Sequence, residues 1–265
     1  MKIISKNLFK NLFWIGVFGI ALGFLEAIVV IYLREMYYPQ GFGFPLSPVA
    51  PRMYLAELIR ELSTIIMLFV LAYLVGKNTI QKLSYFFYSF AIWDIVYYIV
   101  IKLFLNWPSS LLTWDVLFLI PLPWLGPVIA PLIVSVSMIC VSGLLLILED
   151  QNNTVTLKST DWALLIIGAG LIFTSFIWNY STIIIRGGFF PSFWTLANNQ
   201  EFLKIVYDYK PDFFNWPVFV IGEVLIFLAT GLVFIRHHHV FLPQIKWLHE
   251  MIDDVRQHVS KLYSS

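Results

Sequence analysis

The chain has 265 residues, 59% of them hydrophobic and only 12% charged, and a formal net charge of +1. That balance is too apolar for a water-soluble domain and supplies no field to gather nucleic acid, so an integral membrane protein is expected and a nucleic-acid partner is not. The single cysteine, Cys140, excludes a disulfide within the chain.

Lys2, Lys6 and Lys10 precede an apolar run over 11–33. At ~1.5 Å per residue this run is long enough to cross a bilayer, and no small-residue cleavage pattern follows, so it reads as a retained first span. Five more runs of similar length follow, over 54–76, 83–105, 128–148, 162–185 and 216–236. Backbone polar groups without water must bond within their own segment, so all six are expected to be helices in one polytopic membrane domain, 1–236. Lys2, Lys6, Lys10, Lys77, Lys82, Lys158, Arg236, Lys246, Arg256 and Lys261 flank one side, against Arg34, Arg52, Arg186, Lys204 and Lys210 on the other. Ten against five places both termini in the cytoplasm of a cell-membrane protein.

Between the first two spans, the outer loop 34–53 carries YYPQGFGFPLSPVAP, a composition for a compact lid with extended proline segments. The tract 90–131 holds Asp94, Lys102 and Asp115, and Pro121, Pro123, Pro127 and Pro131 interrupt it. Proline ends helices, so the spacing predicts a short, Pro-broken outer helix over about 108–120, re-entrant or interfacial, before the fourth span. The outer loop 187–215 is expected to hold a short interfacial helix near 198–207. NWPSSLLTWDVLFL from Asn106 echoes NWPVFVIGEVLIFL from Asn215, and both read as helix starts, with asparagine as the cap and proline in the first turn. The segment 237–265 begins with three histidines and continues as an amphipathic pattern, Ile245, Leu248, Met251, Ile252, Val255 and Val259 sharing a face, which predicts a cytoplasmic amphipathic tail. Consecutive histidines point different ways on a helix, so His237, His238 and His239 read as a basic flank rather than a metal site.

Carboxylates within spans are costly and mark function by default. Glu26, Glu61 and Glu223 each lie seven residues from the outer end of their span, about 10 Å deep at helical rise, and Asp94 lies deeper. Glu57 and Glu61 share a face of the second span beside Arg60, while Asp94, Tyr98 and Lys102 share a face of the third, with Tyr97 adjacent. If these groups converge, they form an outward-facing acidic, aromatic-lined pocket that Asp115 can join. The inner halves of the spans are nearly free of ionisable groups, which favours a pocket over a pore.

No histidine lies within a span, so the carboxylate–histidine sets of di-iron and zinc enzymes are absent, and haem and catalytic zinc are disfavoured. A divalent cation held by oxygen ligands is the metal alternative, with Glu26, Glu61 and Asp94 as candidate ligands. The leading expectation is a membrane-embedded enzyme doing acid/base chemistry on a lipophilic substrate. Glu26, Glu61 and Asp94 would be catalytic, and Glu57, Arg60, Tyr97, Tyr98, Lys102, Asp115 and Glu223 would bind. A proton- or cation-coupled secondary transporter and a non-catalytic subunit of a membrane complex are the alternatives. The expected partners are the bilayer and a lipophilic small molecule or cation, with homo-oligomer or larger complex left open.

Overall fold

A computed structural model describes residues 4–151 and 155–237. It contains six helices long and apolar enough to cross a membrane: α1 (Lys6–Tyr37), α2 (Pro51–Val75), α3 (Thr79–Leu105), α4 (Ile129–Asp150), α5 (Ser159–Arg186) and α7 (Trp216–His237). A 3-10 helix (Phe190–Asn198), the short helix α6 (Gln200–Asp208) and a two-stranded hairpin, β1 (Trp114–Phe118) and β2 (Trp124–Pro127), complete the described elements. The chain is a multi-pass, all-α membrane bundle with one β insertion. The expected amphipathic tail, with His238 and His239, lies outside the described residues.

The end of the bundle where α1 begins is called proximal here, and the opposite end distal. Side chains tie the proximal helix ends together. The Ser5 side chain caps α1 by accepting from Leu8 N at 3.1 Å, and its N–H and hydroxyl donate to Asp150 at 2.7 and 2.6 Å. Asn78 accepts from Gln81 N to cap α3 and donates from Nδ2 to Glu149 at 2.7 Å. Arg236, at the end of α7, pairs with the fully buried Asp161 in the first turn of α5.

Helix contacts follow from where the chain keeps small residues. Gly16, Gly19 and Gly23 form a stripe on α1 that lets the backbone of α3 approach. A β-carbon at Gly23 would sit 2.8 Å from the Trp93 carbonyl oxygen, and one at Gly19 would sit 3.2 Å from that of Ser89. Close glycine-lined crossings of this kind are what holds helices together where lipid supplies no hydrophobic drive. Gly168 and Gly222 play the same part between α5 and α7, where a β-carbon on either would lie 2.8 Å from the other's carbonyl oxygen. The helix α3 packs against α1 on one side and α4 on the other. By contrast α2 leans mainly on α3 and touches α1 little. Its buried line is Glu61, Thr64, Leu68 and Ala72, while Leu62, Ile66, Phe69 and Tyr73 face outward, the one-sided pattern of a peripheral span whose other face meets lipid.

The hairpin corrects the sequence expectation of a helix over 108–120. Residues 114–118 pair antiparallel with 124–127, with Trp114 opposite Pro127, Asp115 opposite Gly126 and Val116 opposite Leu125. Further bonds from Val128 N to Thr113 O at 3.0 Å and Ile129 N to Leu111 O at 2.8 Å extend the pairing beyond the strands. Pro121, Pro123 and Pro127 cannot donate to a helical ladder, whereas a hairpin places proline at a turn or an edge and still satisfies its remaining backbone groups internally. The insertion has room because α4 is short. Its 22 residues rise about 33 Å, against about 48 Å for the 32 residues of α1. The first turn of α1 and the last turn of α4 meet at the proximal clasp between Ser5 and Asp150, so the distal end of α4 lies about 15 Å short of that of α1 and the hairpin fills the gap. There Leu125 is fully buried against Tyr180 and Ile184 of α5, and Trp124 stacks on Phe176 with ring centroids 5.8 Å apart.

The echoed asparagines differ. Asn215 does open a helix, accepting from Val218 N at 3.3 Å at the start of α7. Asn106 closes one: it is the C-cap of α3, in the left-handed region with φ 50°. Lys102 donates to the carbonyls of Asn106 (3.2 Å) and Pro108 (3.0 Å), fastening that end.

Candidate functional site

The distal half of the bundle encloses a cavity of about 700 Å³ between α1, α2, α3 and the hairpin, with Tyr180 of α5 on its far wall. Loop residues Tyr38, Phe42, Leu46 and Ser47 and the α6 residues Phe202, Leu203, Val206 and Tyr207 line its distal side. Glu26, Glu61 and Trp93 are the lining residues nearest the proximal end of their helices, so the cavity stops midway through the bundle.

The glycine stripe sets which side chains meet. Both α1 and α3 start at the proximal end, and Gly23 lies against Trp93 and Val96, so Glu26 comes level with Tyr97 and Arg34 comes level with the end of α3, beside Trp107. Two ion-pair groups result. In the first, the Arg34 Nη2 donates to Asp115 Oδ1 at 2.8 Å, and the two residues are only 6% and 1% exposed. Tyr98 donates its hydroxyl to Asp115 Oδ2 at 3.2 Å, and Val116 N donates to Oδ1 at 2.9 Å. The guanidinium carbon of Arg34 lies 3.8 Å from the ring centre of Trp107 and 4.2 Å from that of Phe42, and the two rings meet edge to face. Its Nη1 is fully enclosed and has no hydrogen-bond partner. Burial pushes the Asp115 carboxyl above the ordinary carboxylate range, while Arg34, the Val116 N–H and the Tyr98 hydroxyl pull against that shift.

In the second group, Arg60 sits among three carboxylates. It pairs with Glu26 of α1, donates from Nε to Glu57 Oε2 at 2.8 Å, and lies 3.9 Å from Glu61 Oε1. Thr64 donates to the Arg60 carbonyl at 3.1 Å and its hydroxyl lies 3.4 Å from Glu26 Oε2. Glu61 Oε2 in turn accepts from Leu119 N of the hairpin loop at 2.9 Å. The distal half of α2 is therefore held to α1 and to the hairpin by polar contacts.

Asp94 stands apart from both groups. Ser135 of α4 donates to its Oδ2 at 2.8 Å, and no cation pairs with it among the described residues.

The structure brings together on one cavity Glu26, Glu57, Arg60, Glu61, Asp94, Tyr97, Tyr98 and Asp115 of the residues marked in the sequence. Two expected members are elsewhere. Glu223 has the expected depth, but its helix turns it toward α4, where Ser137 donates to its Oε2 at 2.6 Å and Oε1 is buried without a partner. Lys102 caps α3 as described. Among the tryptophans nearby, Trp93 lines the cavity, Trp107 lies on Arg34, and Trp114 packs against Phe214. The metal set Glu26, Glu61 and Asp94 does not assemble: the two glutamates gather on Arg60 and the aspartate on Ser135, and no group of three His, Cys, Asp or Glu side chains suited to an ion occurs among the described residues.

Sequence reasoning missed Arg34, which had been counted with the flanking charges, as well as Ser135 and the hairpin backbone. A cation at the head of a loop that holds four aromatic residues, Tyr37, Tyr38, Phe42 and Phe44, was the one available signal for Arg34. No protein-family model, curated protein or solved structure matches the chain.

Proposed function

We propose that this is a membrane-embedded enzyme performing acid/base chemistry on a lipophilic substrate inside the distal cavity. The observation that supports it is Asp94, a carboxylate on the cavity wall with one serine donor and, among the described residues, no paired cation. Such a group can take or give a proton at a bound substrate without first breaking an ion pair. Glu61, held by a backbone N–H and 3.9 Å from Arg60, is the second acid/base group, and Glu26 fixes Arg60 beside it. Tyr97, Tyr98 and Trp93 shape the wall around Asp94. The distribution of lysine and arginine supports placing the cavity on the outer side of a cell membrane, with the proximal end in the cytoplasm. Transport is the weaker reading, because among the described residues no cavity-lining carboxylate lies proximal of Glu26, Glu61 and Asp94 to carry a proton or ion onward.

The test is proton transfer to carbon. The full chain in nanodiscs is incubated with membrane lipid extract in deuterium oxide, and the lipids are analysed by mass spectrometry. A lipid species that gains mass, or a new product, with the wild type and not with Asp94→Asn or Glu61→Gln supports the proposal. Neither labelling nor conversion with the wild type overturns it.

A further inference from the structure

Taking the cavity as a substrate pocket, as above, we propose that its ligand is an amphipathic organic cation, an ammonium group carried on an apolar chain. The charges around the cavity point that way. Five carboxylates line it, those of Glu26, Glu57, Glu61, Asp94 and Asp115, against the guanidiniums of Arg34 and Arg60. Neither guanidinium is open to an incoming anion. Arg34 is bonded to Asp115, and its remaining Nη1 is fully enclosed; Arg60 is ringed by three glutamates. An anionic headgroup would meet surplus negative charge and, among the described residues, no uncommitted cation.

A cation meets the opposite situation. Carboxylates removed from water are costly until a proton or a cation compensates them, and here the pairs within the wall leave carboxylate in excess. Asp94 is the member with no cationic partner among the described residues. Trp93, Tyr97 and Tyr98 stand within about one turn of it on α3 and line the same cavity. Aromatic faces beside a carboxylate are the recognised setting for an ammonium ion, whose attraction to the ring strengthens as water is excluded. An inorganic cation fits less well, since the carboxylates are divided between Arg60, Arg34 and Ser135 and no three-ligand group forms among the described residues.

The rest of the wall suits the chain. Leu58, Leu122, Leu203 and Val206 face the cavity from three different elements, and a volume of about 700 Å³ lies within the range that holds small organic ligands.

Three probes of one chain length separate headgroup from chain: n-decylammonium, n-decanol and n-decanoate. Each is added to the full chain in nanodiscs, and binding is read by equilibrium dialysis against protein-free nanodiscs, which removes simple partitioning into lipid. The expected result is saturable binding of decylammonium at least tenfold tighter than decanol, with decanoate weakest. Asp94→Asn is expected to lose about tenfold for decylammonium and less than twofold for decanol. The comparison of probes on the wild type stands even if that variant folds poorly. Saturable decanol binding equal to or tighter than that of decylammonium overturns the cation inference while leaving the substrate pocket intact. Unchanged decylammonium affinity in a folded Asp94→Asn protein also overturns it. No saturable binding by any probe overturns the inference and removes the support for the pocket itself.

Discussion

The Arg34–Asp115 pair gives the sharpest test of how the cavity is held together. It joins α1 to β1, and through the Tyr98 hydroxyl it reaches α3, so three elements depend on one buried contact. With exposures of 6% and 1%, neither charge has recourse to bulk water when its partner is removed. Breaking a buried pair from one side costs roughly 3–5 kcal/mol, most of it from the charge left behind. Asp115→Asn is therefore expected to lose about 3 kcal/mol or more of stability, since it strands a guanidinium between Trp107 and Phe42. Arg34→Met strands the aspartate and also gives up the ring contacts at 3.8 and 4.2 Å, worth roughly 0.5–2 kcal/mol. The double variant removes both charges at once, and its cost should fall short of the sum of the singles by at least about 2 kcal/mol. Reversible unfolding in mixed micelles, run as a double-mutant cycle, measures this difference. Single losses below about 1 kcal/mol, or singles that add within roughly 0.5 kcal/mol, would refute the claim that the pair is a coupled, buried clasp.

Two further predictions probe the packing and the boundary of the site. Gly23→Ala places a β-carbon 2.8 Å from the Trp93 carbonyl oxygen and should destabilise by about 1–3 kcal/mol, while Gly143→Ala on α4, with open space around it, should be neutral or stabilising by up to ~1 kcal/mol; heat challenge followed by size-exclusion chromatography ranks them, and equal behaviour would mean that α1 and α3 do not cross closely. Glu223→Gln keeps an oxygen for Ser137 and lies outside the cavity, so it should leave deuterium labelling and probe binding within twofold of wild type, and a loss of either would place Glu223 functionally in the site.

The six helices were legible because each repeats one physical requirement, about twenty apolar residues closed by polar or small ones. The hairpin was not. Its residues, WDVLFLIPLPWLGP, are as apolar as a span, and the prolines say only that no helix continues. What selects strands is the space left above a short α4, and that space depends on the Ser5–Asp150 clasp, a contact between residues 145 positions apart. Arg34 was misjudged for a related reason. Counted by sequence position it is a flanking charge, but α1 continues to Tyr37, so it is still helical where Asp115 arrives from the hairpin.

Glu26, Glu61 and Glu223 separate the two quantities that place a side chain in a bundle. Helical rise fixes depth, and all three glutamates were assigned about the same depth from sequence alone. Azimuth is fixed by which face a neighbouring helix accepts, and that is decided by close-approach residues elsewhere on the helix. On α1 the Gly16, Gly19 and Gly23 stripe lies against α3, and Glu26 follows one turn later on nearly the same face, reaching the cavity. On α7 the close-approach residue is Gly222, which meets α5; the adjacent Glu223 is rotated by about 100° and bonds Ser137 of α4, and no residue of α7 lines the cavity. An acidic residue at the right depth thus joins the site only when its helix borders the cavity and packs with that face turned toward it.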